Sequence, residues 1–120
     1  METTAKQFNF FKKEVEKWIK KFGLINWDIT IWHSEDVSVD AAADCACDFG
    51  QHYATVRLQK NIEEGDCFTN KNIKRYAFHE VMHIFLYRIQ YLADCRYIDN
   101  VEIPEEIHSL IRTLENVILK

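Results

Sequence analysis

The sequence predicts an α+β fold: an N-terminal helix, a small and largely antiparallel three-stranded sheet, a central helix and a C-terminal helix. Three observations predict it. Apolar residues recur every three or four positions near both ends of the chain, as on one face of a helix. Alternating, β-branched stretches fall between residues 27 and 58. A long segment from 71 to 92 is apolar nearly all round, the mark of a buried helix. The 120 residues suit one domain spanning 1–120, since a second core would leave two halves too small to be stable.

Phe8, Phe11, Val15, Trp18, Ile19 and Phe22 form the first stripe, with lysines and glutamates between them. Gly23 stands where a helix C-cap belongs, followed by Leu24 for the capping contact. Trp27 to Trp32 reads as the first strand and Ala41 to Asp48 as a second, with Ala43, Cys45 and Cys47 on one face. A turn over 48–51 leads to a third, Tyr53 to Leu58, with Ala54, Val56 and Leu58 facing inward. Residues 61–69 are polar and read as a loop; Thr69 or Asn70 can cap the long helix. Pro104 suits the first turn of the last helix, whose stripe is Ile107, Leu110, Ile111, Leu114, Val117 and Ile118.

Composition excludes several classes. Three Trp, five Tyr and eight Phe argue against a disordered chain. A net charge of −4, from 15 basic and 19 acidic residues, gives no general electrostatic grip on nucleic acid. Glutamates interleave with the lysines of the first helix, which reads as a solvated face. No stretch approaches the roughly 18–20 apolar residues of a membrane span, and the N-terminus lacks the apolar core of a secretory signal. The expected setting is cytoplasmic. Cys45, Cys47, Cys67 and Cys95 then read as free, structural thiols.

The central helix contains His79-Glu80-Val81-Met82-His83, an H-E-x-x-H. Residues four apart share a helical face, so both imidazoles can bind one zinc ion. The glutamate beside the first histidine can take a proton from the attacking water and hand it to a leaving amine. A catalytic zinc also needs a third protein ligand and an open position. Glu106 lies on the margin of the last helix's apolar stripe and is the foremost candidate. Glu115 becomes the residue opposite His83 if two long helices run antiparallel. Glu105, His108 and the connecting Asp94, Asp99 and Glu102 remain alternatives. Tyr76 and Tyr87 fall near the histidine face and read first as core tyrosines. Arg112 reads as a surface arginine, and His33 and His52 as surface or strand histidines.

With this motif on a central helix, a strand like Tyr53-Ala54-Thr55-Val56-Arg57-Leu58 before it and a segment like Glu105 to Glu115 after it, the chain resembles the zincin-type metallopeptidases. The likeness is to their minimal, single-domain bacterial and phage-encoded members, and it covers most of the chain from Trp27. The longer metzincin extension is absent, since neither Gly nor a third His follows His83 at that spacing. The resemblance implies a glutamate third ligand, as in gluzincins, and an early glutamate on the last helix. It also implies a peptide or protein substrate paired with a sheet edge, for which Tyr53 to Leu58 is the candidate. A chain this short leaves little room for a substrate lobe, so a narrow substrate or a protein partner completing the cleft is expected. A non-catalytic, zinc-stabilised interaction module is the alternative.

Overall fold

A computed structural model describes residues 2–37, 41–48, 50–61, 68–95 and 101–119. Cys67 and Asp99 lie outside them.

Helix α1, Ala5–Lys21, starts from a capping box. The Thr4 hydroxyl accepts from the Gln7 N–H at 3.1 Å, and the Gln7 side chain accepts from the Thr4 N–H at 2.7 Å. It ends as expected at Gly23, in the left-handed region at φ 66°. There the Gly23 N–H donates to the Lys20 carbonyl and the Leu24 N–H to the Ile19 carbonyl, which satisfies carbonyls at the helix end.

Strands β1 (Asp28–Ser34), β2 (Ala43–Asp48) and β3 (Tyr53–Gln59) form one sheet in the order β1-β3-β2. This corrects the expected largely antiparallel sheet. β2 and β3 are antiparallel, as their tight turn requires, but β1 pairs with β3 in parallel, so the sheet is mixed. The physical reason lies in burial. Ala54, Val56 and Leu58 are completely enclosed, so β3 takes the middle place and the more exposed β1 and β2 flank it. Tyr53 to Leu58 is therefore the central strand and not a sheet edge.

Register places Ile29, Cys47 and Ala54 side by side, then Ile31, Cys45 and Val56, then His33, Ala43 and Leu58. These residues share one face, and the core lies between that face and two helices, α1 and α2 (Asn70–Asp94). Trp18 meets Phe78 edge-on at 4.9 Å, and Phe22 meets Phe85 at 4.9 Å, joining the helices. α2 is not enclosed all round: Phe78, Leu86 and Tyr91 reach solvent. The last helix, α3 (Glu102–Ile118), packs on α2 and buries no residue fully. Among the described residues no helix is long and apolar enough to cross a membrane.

Candidate metal centre

The phase of α2 builds the site. Thr69 caps its N-terminus, accepting from the Asn72 N–H at 3.3 Å, and neither Gly nor Pro interrupts the following 25 residues. Ile73, Ala77, Val81 and Ile84 turn into the core. Glu80 comes three residues after Ala77 and four before Ile84, so the same rotation draws it inward, where it is only 5% exposed. His79 and His83 fall on the adjoining face and are exposed.

The two Nε2 atoms are 3.2 Å apart. Two nitrogens each about 2.0–2.1 Å from one ion, near the tetrahedral angle, would stand about 3.3 Å apart, so the pair fits a shared cation. One ligand atom from each of His79, Glu80 and His83 lies within 4.8 Å of the others, and the group could hold a metal ion. It is the one such group of His, Cys, Asp and Glu among the described residues. Burial pushes the Glu80 carboxyl up to about 7 in the metal-free protein, and the negative charge of Asp44 adds to the rise.

The cluster lies in a groove between α2 and the edge strand β2. One cleft of about 580 Å³ is lined by Ala41, Ala42, Ala43, Tyr76, His79 and Glu80, with Asn72 and Arg75 at its side. A second, of about 360 Å³, is lined by Asp44, Cys45, Cys47, His83, Tyr87 and Gln90. Ala43 and Glu80 border both, so the two clefts meet at the buried carboxyl. Tyr76 and Tyr87 thus stand at the groove and also touch aromatic neighbours, Phe68 and Trp27.

Glu106 is not brought to this cluster. Its carboxylate is 3.5 Å from the Arg88 guanidinium, and both line a separate recess with Trp27, His52 and Leu110. Arg88 is nine positions from His79, which at about 100° per residue is the opposite side of the helix. α3 packs on that side. Glu105, His108 and Glu115 are exposed on α3, as is Asp94 at the end of α2, and Glu102 is half-buried. The Arg112 side chain turns back to the His108 carbonyl at 3.4 Å. His33 stacks on Phe8 and pairs with the Thr3 hydroxyl, while His52 stacks on Trp27.

Sequence reasoning missed the contribution of β2. Asp44 stands at the groove but is held by Arg57, which donates through Nε at 2.8 Å. The inward pair Cys45 and Cys47 was visible as a same-face C-x-C; what the local pattern lacked was any sign that α2 lies opposite. Comparisons with protein-family models, curated proteins and solved structures give no match to this chain.

Proposed function

We propose that the chain is a zinc-dependent peptide hydrolase of the zincin type, with His79 and His83 holding the ion and Glu80 moving the proton. The observation that carries this reading is the convergence of two imidazole nitrogens and one buried carboxyl in a groove beside a strand edge. Exposed imidazoles suit zinc, and their solvent access leaves room for water and substrate. When bound, zinc would polarise the substrate carbonyl and acidify a water. Glu80 lies close to both histidines, so its carboxylate can take the proton from the attacking water. It then returns that proton to the amine as the C–N bond breaks.

β2 is the sheet edge along this groove, and an extended peptide can add to it as a further strand. Backbone pairing along Ala43–Asp48 would lay the peptide across from His79 and His83. The test measures zinc per chain and hydrolysis of a peptide library by wild type and Glu80→Gln. Zinc retained with hydrolysis lost is expected; hydrolysis unchanged in the variant overturns the role. The two thiols lining the groove favour a second reading, a zinc-stabilised interaction module. That reading predicts a large loss of stability on chelation and no hydrolysis by wild type.

A further inference from the structure

With Glu80 kept for proton transfer, as proposed above, two histidines and an open position leave a catalytic ion short of one protein ligand, and Glu106 is engaged by Arg88 on the far side of α2. Apart from the α2 motif itself, the His, Cys, Asp and Glu side chains that line the groove among the described residues come from β2. The order of lining residues shows how the two elements run. Ala41 to Ala43 lie beside 72–80, and Cys45 and Cys47 lie beside 83–90, so β2 and α2 advance in the same direction. From Ala43, which borders Glu80, the next inward residue of the strand is Cys45, about 6–7 Å further along. From His79 to His83 the helix advances about 6 Å. Cys45 is therefore level with His83, across one cleft from it. Asp44, its neighbour, points its carboxylate to Arg57.

We propose that the thiolate of Cys45 is the third protein ligand of a thiophilic divalent cation held by His79 and His83. This assignment rests on the metal-site reading above. In the metal-free chain the Cys45 and Cys47 sulphurs are 3.8 Å apart, each within reach of the other's S–H. The Cys45 sulphur is outside the tight group formed by His79, Glu80 and His83, so ligation requires it to turn toward His83. A strand paired on one side only can accommodate that movement. On binding, the Cys45 S–H bond breaks, its proton goes to solvent and the sulphur–metal bond forms. Two imidazoles and one thiolate leave a fourth position open, and the soft sulphur selects zinc or cobalt over magnesium and calcium.

The probe is Co²⁺ titrated into the reduced, metal-free full chain and followed by absorption. One Co²⁺ per chain is expected, with a thiolate-to-cobalt charge-transfer band in the near ultraviolet. Cys45→Ser should lose the band and weaken binding by more than the roughly 10–100-fold that an outer-shell partner contributes. Cys47→Ser should keep the band, as should Cys67→Ser and Cys95→Ser. Alkylation of the wild type, mapped by mass spectrometry, gives a readout that needs no variant: Co²⁺ should protect Cys45 and leave Cys95 reactive. One Co²⁺ bound without the band and without protection of Cys45 overturns the thiolate ligand while leaving the histidine site standing. A band lost only in Cys47→Ser overturns the choice of sulphur. Absence of Co²⁺ binding overturns both this assignment and the metal site beneath it.

Discussion

Helices α1 and α3 are each 17 residues long and each carry an apolar stripe, yet the molecule holds them very differently. α1 has a capping box, a glycine C-cap and two side chains, Phe11 and Val15, that are 0% exposed. α3 has no side-chain cap and no buried residue, and Ile107, Ile111, Leu114 and Ile118 of its stripe remain exposed. The stripe is therefore not what anchors a helix; the number of surfaces that meet it is. α1 lies against α2 and contributes to the core beneath the sheet, whereas α3 meets one side of α2. The difference also locates the chemistry. α2 presents His79, Glu80 and His83 toward β2 and Arg88 toward α3, so the well-anchored half of the molecule carries the site.

Unequal anchoring predicts unequal penalties. Phe11→Ala should cost about 3–5 kcal/mol, the range for emptying an aromatic site in a closed core. Leu110→Ala, on the half-buried side of α3, should cost no more than about 1–2 kcal/mol, below the range for a closed site. Urea unfolding of both variants checks this, and equal losses would break the comparison. Glu80→Gln should move stability the other way. The folded metal-free protein keeps the Glu80 proton up to about pH 7, while the ordinary carboxyl loses it near 4.5. The folded state binds the extra proton in that interval, so its stability falls as pH rises from about 4.5 and the loss is complete above about 7. The amide removes that loss. At pH 8 the metal-free variant should gain at most about 3 kcal/mol over wild type, with little difference at pH 4. Thermal melts at the two pH values read it.

Local features of this fold were legible and relational ones were not. The stripe from Phe8 to Phe22, the cap at Gly23 and the H-E-x-x-H each depend on residues within a turn or two, so periodicity reveals them. The parallel pairing of Asp28–Ser34 with Tyr53–Gln59 depends on which strand is buried most, and alternation looks the same in a central strand and an edge strand. Position on the margin of a stripe placed Glu106 next to a helix interface, correctly, but could not say which side of α2 that interface uses. Cys45 and Cys47 were seen to share a face, while their neighbour across the groove was set by the packing of α2 on β2.

Thr4→Ala sharpens the comparison at the level of one cap. It removes the hydroxyl that accepts from Gln7, and α1 should lose about 1 kcal/mol. α3 offers no equivalent substitution, because Val101 at its N-terminus makes no side-chain cap.

Glu106→Gln is expected to have the smallest effect and says most about the site. The carboxylate meets Arg88 at 3.5 Å with both side chains partly open to water, so loss of the pair should cost less than about 1 kcal/mol. Were Glu106 a metal ligand, the same change would remove a charged donor and weaken metal binding by orders of magnitude. Its separation from His79 around α2 argues for the first outcome: Co²⁺ affinity of the variant equal to wild type, with a small drop in unfolding midpoint. A large loss of affinity with unchanged stability would mean that α3 swings around α2 to reach the histidines when metal binds. The loosely held α3, rather than the edge strand, would then complete the centre.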